Sequence, residues 1–429
     1  MSTVADKETV NNQEAKNIHQ LEYEDVPGHE RTGSSFGAFA NIVCVIAGSG
    51  TLQLPLALNQ GGWFSVILIV FFSIAAIYAG NLLIKCLYYD GVSRLDDYPS
   101  IAEAAFGKFG KYFIRTFNYS ILLGTSCVYI LLAGLNIHTL VQKLDVNIDL
   151  KIWIIIAACV IWVPFVCLKS IKEIALMSAF GALATLVVVI VSVVVGFIDL
   201  NQRVTGAANH QFMNTSGLPL ALASICFSFG GNVIYPHVES GMAHPKSWSK
   251  VLTMAMATIC GMYVLISVCG YYVYGQTVQS PIYLSLPQEA PTYVAMIMIT
   301  LHVILAAPLY LTGFAYEIEG LWKIDRRYHS ASKEFILRAA LRTSMIVVLA
   351  LIAMFLPYVD DLMSLIGALA YSIIIFIAPI VLYLKLHGLR SMGKVEMAWC
   401  ALIIITAAIA CVLGTKDAII SLINRVKNG

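Results

Sequence analysis

Eleven apolar runs of about 20 residues divide this chain, near 36–60, 63–88, 112–141, 152–169, 174–199, 218–240, 251–275, 291–317, 336–357, 360–385 and 396–415. A bilayer core holds no water for unpaired amides. Runs of this length are therefore restricted to helices that satisfy their own N–H and C=O groups. The expected fold class is all-α and integral to the membrane, with a multi-pass domain over 36–415.

Composition agrees. The chain is 59% hydrophobic and 12% charged, about half the charged fraction (~25%) of an ordinary soluble domain. A net charge of +2, with no basic patch interleaved with aromatics, argues against a nucleic-acid partner and leaves the lipid bilayer as the solvent. Residues 1–35 carry seven Asp/Glu against three Lys/Arg and no apolar h-region, so a disordered tail is expected rather than a cleaved signal peptide. The ten cysteines show no CxxC or Cys/His spacing and read as small apolar packing residues, with no metal and no cofactor expected.

Orientation follows from the basic residues. With eleven spans and a cytosolic N-terminus, 21 of the 27 Lys and Arg fall in one set of loops and flanks. That set runs from Lys7, Lys16 and Arg31 through Lys85, Arg94 and Lys111 to Arg338, Arg342 and Lys394. The opposite face holds Lys143, Lys151, Arg203, Lys416, Arg425 and Lys427, the last three in a short non-cytosolic C-terminal tail over 416–429. Asn214-Thr215-Ser216, a possible glycosylation acceptor, falls on that opposite side. In the loop before the third span, Ser100-Ile101-Ala102-Glu103 reads as a capping box opening a short interfacial helix.

Two spans are interrupted in the same way. The first reads Ala47-Gly48-Ser49-Gly50-Thr51-Leu52-Gln53-Leu54-Pro55; the sixth reads Ser228-Phe229-Gly230-Gly231-Asn232-Val233-Ile234-Tyr235-Pro236. Each places a proline five residues after the second glycine. Glycines alone could serve close helix packing. Paired breaks at corresponding positions of two halves point instead to the binding site of a secondary transporter. A broken helix offers free amides at one half's N-terminus, which suit a carboxylate, and free carbonyls at the other half's C-terminus, which suit an ammonium. A zwitterionic amino acid carries both. The expected substrate-binding residues are Ala47, Gly48, Ser49, Gly50 and Thr51 with Ser228, Phe229, Gly230, Gly231 and Asn232.

No Asp or Glu lies near the middle of any span. Glu317 and Glu319 close the eighth span, Asp360 and Asp361 open the tenth, and all four are expected to be solvated. His302, inside Thr300-Leu301-His302-Val303-Ile304, is the ionisable exception at membrane depth. It reads either as a proton-coupling group or as a neutral histidine bonded to a neighbouring helix. No catalytic pair appears inside the spans, so an enzyme is not expected.

From about Ser35 to Gly414 the chain resembles the amino acid/auxin permease family. The resemblance is carried by Gly48-Ser49-Gly50-Thr51-Leu52-Gln53-Leu54-Pro55 with Gly61-Gly62-Trp63, by Phe227 to Pro236 running into Met242 and Pro245, and by Tyr98-Pro99-Ser100-Ile101-Ala102-Glu103. The pattern is most similar to the vacuolar and vesicular neutral amino acid branch. This resemblance implies a LeuT-type fold, with spans 1–5 and 6–10 as inverted repeats, broken helices 1 and 6, and span 11 accessory. It also implies a substrate site between spans 1, 3, 6 and 8, a basic residue at the position of His302, and a vacuolar or endolysosomal membrane ahead of the plasma membrane. Sodium-coupled relatives place an asparagine where Cys44 stands. A thiol is a poor ligand for a hard cation, so protons are expected to be the coupling ion. A proton-coupled transporter of neutral amino acids is the leading expectation, and a sensor on the same fold or a sodium-coupled transporter is the alternative.

Overall fold

The computed structural model describes residues 31–91, 93–142, 148–167, 174–202 and 208–428. The tail expected over residues 1–30, with Lys7 and Lys16, lies outside these, as do Lys143, Lys169, Lys172 and Arg203. Among the described residues, ten helices are long and apolar enough to cross a bilayer, and an eleventh span is a bent pair. Span 1 consists of Ser35–Ile46 and Leu54–Gly61, joined by a short 3-10 turn over Ser49–Gln53 and bent by 43°. Span 6 is broken between Leu218–Ser228 and Tyr235–Gly241 without a bend of that size. The others are Phe64–Leu87, Tyr98–Gln142, Leu150–Cys167, Ile174–Gln202, Trp248–Tyr274, Ala290–Leu321 and Ala331–Phe355, then the composite spans 10 (359–387) and 11 (394–428).

Spans 1 and 6 occupy the middle. Span 7 packs against both halves of span 1, span 5 against its first half, and spans 3 and 8 pack along one another. Span 10 closes over span 6.

Two local features differ from the sequence reading. The short helix before span 3 begins one turn before the expected box. The Asp97 carboxylate accepts from the Ser100 N–H at 2.8 Å, so Asp97 is the cap and Ser100 the third helical residue. That helix turns into span 3 at Gly107, whose φ of 63° suits glycine and strains other residues. At the other end of the chain, residues 415–428 continue as helix. Arg425 there pairs with Asp361 at 3.2 Å, and its carbonyl accepts from the Tyr358 hydroxyl.

Span 10 contains a π-helical stretch over Gly367–Ile377. In this register the amide of residue i+5 bonds the carbonyl of i, as Ala378 does to Ile373. The next donor in line would belong to Pro379, which has no N–H. The orphaned carbonyl of Ile374 instead accepts from the Asn232 side chain at 2.6 Å and from the Tyr98 hydroxyl at 2.8 Å. One missing amide thus ties span 10 to the break in span 6 and to the short helix that precedes span 3.

Two of the four carboxylates expected in solvent are buried. Glu319 is 8% exposed because Arg342, 0% exposed, reaches it from span 9 at 2.8 Å. Arg342 also donates to the carbonyl of Phe165 at 2.6 Å and lies over the Phe165 ring, joining spans 4, 8 and 9. Asp361 is 3% exposed beneath Arg425. Asp360 and Glu317 are half-buried, the latter paired with Arg115 at 3.1 Å. Removing one partner of a buried ion pair leaves the other charge uncompensated, which costs about 3–5 kcal/mol. Glu319→Ala should accordingly lower the thermal midpoint of the detergent-purified protein more than Glu319→Asp. An unchanged midpoint in the alanine variant would show that the pair contributes nothing.

Candidate functional site

The two breaks cross. A Cβ added at Gly50 would lie 2.7 Å from the Ser228 Cα, and one at Gly231 would lie 2.4 Å from Ile46 Cγ1. Both distances are too short for any side chain, so glycine is required at these positions by close approach. Of each glycine pair, one member answers to contact between the breaks, Gly50 and Gly231, while Gly48 faces Tyr129 and His302 and Gly230 faces Tyr371.

Breaking a helix releases carbonyls, and those of Ile46, Gly50 and Ser228 at the crossing are taken by groups from the facing break or from span 7. The Ile46 carbonyl accepts from the Gly48 N–H at 2.9 Å and from the Tyr263 hydroxyl at 2.8 Å. That phenol also reaches the Ser228 carbonyl. The Ser228 hydroxyl lies 2.9 Å from the Gly50 carbonyl. A phenol has one proton to donate, so Tyr263 holds both breaks while fully satisfying only one at a time.

Beside the crossing lies a cavity of about 10 Å³, lined from span 1 by Val45, Ile46, Gly48, Ser49 and Gly50 and from span 6 by Phe227 and Gly230. Its remaining walls are Thr125 and Tyr129 of span 3, Tyr310 of span 8 and Tyr371 of span 10. About one water fits such a volume. Ser49 and Gly50 open the 3-10 turn, where the first amides have no acceptor within the turn. No charged side chain lines the cavity among the described residues.

Of the residues singled out in the sequence, Gly48, Ser49, Gly50 and Gly230 line this space. Ala47, Thr51, Ser228, Phe229, Gly231 and Asn232 are buried around the crossing without lining it. Asn232 points away, to the Ile374 carbonyl. The sequence reading missed the aromatic wall. Tyr371 packs edge-on against Phe227 at 5.5 Å and meets the Thr125 hydroxyl at 3.1 Å, while Tyr129 packs edge-on against Tyr310 at 5.6 Å. Nothing in the local pattern separates these four rings from the other tyrosines and phenylalanines of the spans, because facing depends on how the helices pack.

His302 is 2% exposed and sits behind span 1. A Cβ built at Gly48 would lie 3.3 Å from its Nε2 and 3.2 Å from the Tyr129 hydroxyl. One built at Gly181 of span 5 would lie 2.5 Å from both His302 Nδ1 and Cys44 Sγ. The imidazole is therefore pressed between spans 1 and 5 next to the break, and its Nε2 is buried without a hydrogen-bond partner.

Polar clusters lie toward both ends of the bundle. Toward the Lys/Arg-rich end, Glu239 at 0% exposure accepts from Arg94 at 2.9 Å and Tyr88 at 2.6 Å, with Arg31 at 3.7 Å. Burial first and the Glu239 charge second hold the Tyr88 phenol well above its ordinary range. The chain before span 1 also bonds the end of span 6, Gly33 N–H to Gly241 O at 2.8 Å. At the opposite end, the Gln53 amide reaches the Ser224 and Ser364 hydroxyls at 3.0 Å and the Asp360 carbonyl at 3.1 Å.

Contact between the breaks has a direct test. Overpacking a close contact costs about 1–3 kcal/mol, so Gly231→Ala should lower the thermal midpoint, and Ile46→Ala in the same chain should recover part of the loss. Strict additivity of the two substitutions would show that the breaks do not touch there.

A family model described as transmembrane amino acid transporter protein matches residues 31–420. The amino acid transporter AVT1C of Arabidopsis thaliana is 28% identical over 402 residues, covering 92% of this chain and 71% of that protein. The vesicular GABA transporter of Caenorhabditis elegans is 23% identical over 403 residues, covering 92% and 81%. Among solved structures, the inward-facing conformation of Mhp1 is similar at a TM-score of 0.56 and 14% identity, covering 94% of each chain. The manganese transporter of Eremococcus coleocola is similar at 0.55 and 12%, covering 92% and 91%. These structural likenesses carry the fold, which is LeuT-type with broken helices 1 and 6. The chain is a transporter and not an enzyme, and it belongs to the transmembrane amino acid transporter family.

Proposed function

We propose that this chain is a proton-coupled transporter of neutral amino acids that works by alternating access, with the substrate held at the unwound centres of spans 1 and 6. The observation that carries the reading is the cavity at the crossing. It joins half-helix ends of opposite polarity to a wall of phenols and a threonine hydroxyl, with no charged side chain in the lining. A zwitterion meets both polarities through its own two charges. At about 10 Å³ the space is too small for an amino acid, so loading requires the rings of Tyr129, Phe227, Tyr310 and Tyr371 to part. The Glu239 cluster and the Gln53 cluster lie at opposite ends and open in turn. The Lys/Arg-rich end is the cytosolic one by the charge rule, which puts the N-terminus in the cytosol. The resemblance to vacuolar and vesicular transporters, with a relative named as vesicular, supports an endomembrane location.

Uptake of radiolabelled amino acids into proteoliposomes tests this reading. Holding a bare charge at membrane depth costs roughly 3 kcal/mol on insertion scales, more than a hundredfold in affinity. Leucine, glutamine and alanine should therefore compete for uptake, and arginine and glutamate should not. Binding without net flux would favour a sensor, and equal competition by the charged amino acids would contradict the proposed site.

His302 is the proposed coupling group, since it places a buried imidazole beside Gly48. One pH unit supplies ~1.4 kcal/mol per proton, and 100 mV adds ~2.3 kcal/mol. Together these sustain a gradient of several hundredfold, on the order of 4 kcal/mol. His302→Ala should lose accumulation against a gradient while retaining substrate exchange, and replacing sodium by choline should leave wild-type uptake unchanged. An alanine variant with wild-type pH dependence would remove His302 from the mechanism. Collapse in choline would make sodium the coupling ion.

A further inference from the structure

A second cavity, of about 650 Å³, opens at the Lys/Arg-rich end where span 8 finishes and span 9 begins. It shares no lining residue with the central cavity, and the transport reading makes no use of it. Its walls carry Lys323, Arg326, Arg327 and Arg338 around the rings of Tyr316 and Tyr328.

The charges are unevenly matched. Arg327 donates side-chain and backbone hydrogen bonds to Asp325, which hold that carboxyl below its usual range. Glu319 is taken by Arg342. Glu334 is left to serve both Arg338, at 3.2 Å, and the more distant Arg326, at 3.9 Å. Lys323 rests over the Tyr328 ring at 5.6 Å and makes no ion pair among the described residues.

Arg338 is the decisive group. It is 7% exposed, one nitrogen is used by Glu334, and its Nε and Nη2 are buried without a hydrogen-bond partner. Unmade bonds on a buried cation are costly. The planar guanidinium presents adjacent donors that match two oxygens of one phosphate or carboxylate. Lys323 and Arg326 stand on the rim as further cations, both exposed. Lys323 also holds a φ of 54°, the single non-glycine residue with positive φ among those described. That conformation is strained for a lysine, and its observed place is the wall of this cavity. The surrounding surface is apolar, with Leu321, Trp322 and Ile336 each 64% exposed, as expected where a bundle end meets the headgroup layer. Basic pockets between spans at such a depth suit phosphorylated headgroups.

We propose that this cavity is a binding site for a terminal, dianionic phosphate group, held by the Arg338 fork with Lys323 and Arg326, and supplied either by a phosphorylated lipid headgroup or by free phosphate. The probes are dioctanoyl phosphatidylinositol 4-phosphate and inorganic phosphate, titrated against the full chain in detergent, with dioctanoyl phosphatidylcholine as the blank. Wild type should bind at least one phosphate probe about tenfold or more tighter than the blank, with affinity falling as salt rises. Saturation by the inositol lipid alone identifies a membrane headgroup as the source, and equal saturation by inorganic phosphate identifies the free anion; both uphold the site. Lys323→Gly relieves the left-handed backbone, so it should fold as well as wild type and still lose about fivefold or more in affinity. Arg326→Gln, at a 67% exposed side chain, should behave alike, and Arg338→Lys should weaken binding although its charge is kept. The proposal is overturned if neither phosphate probe exceeds the blank, or if all three variants bind as wild type does.

Discussion

Backbone polar groups inside a bilayer have no solvent to fall back on, and the centre of this protein is organised around that fact. Opening spans 1 and 6 releases the carbonyls of Ile46, Gly50 and Ser228, and each is taken by a group from the facing break or from span 7. The mutual supply works because the two segments touch, and they touch because Gly50 and Gly231 carry no Cβ. Tyr263 reaches one carbonyl in each break with a single proton to share. The arrangement is satisfied without being locked, which suits an element that has to change partners during a transport cycle.

The same accounting explains span 10. A π-register ending at Pro379 orphans the Ile374 carbonyl, and Asn232 of the span 6 break and Tyr98 fill the gap. The stretch that positions Tyr371 against Gly230 is thereby tied to the break it covers. Charged groups are kept away from this centre and buried near the bundle ends. Glu239 with Arg94 and Glu319 with Arg342 lie toward one face, and Asp361, beneath the half-exposed Arg425, lies toward the other, each pair joining different elements of the bundle. A buried pair of this kind contributes little net stability, yet tolerates no loss of one partner. That property suits contacts that must be either fully made or fully broken.

Apolar run length and the demand for backbone pairing in lipid determined the eleven spans, and glycine–proline spacing determined where two of them break. These are local constraints, each readable from a window of about 20 residues. The central position of Gly48, Ser49, Gly50 and Gly230 followed from the same signal. Which side chains face the break did not. Tyr129, Phe227, Tyr310 and Tyr371 sit among many other aromatics in the spans, and facing is set by helix rotation, which in hydrocarbon comes from packing rather than from an amphipathic stripe. The expected exposure of Glu319 and Asp361 failed for a related reason. Each sits near a span end, where solvent is the natural assumption, and only the tertiary fold brings Arg342 and Arg425 to cover them. The sequence by itself therefore determined the membrane class, the span count and the two breaks. Tertiary structure alone decided the contact between the breaks, the aromatic wall and the buried ion pairs, because those depend on distances between residues separated by roughly 20 to 310 positions along the chain.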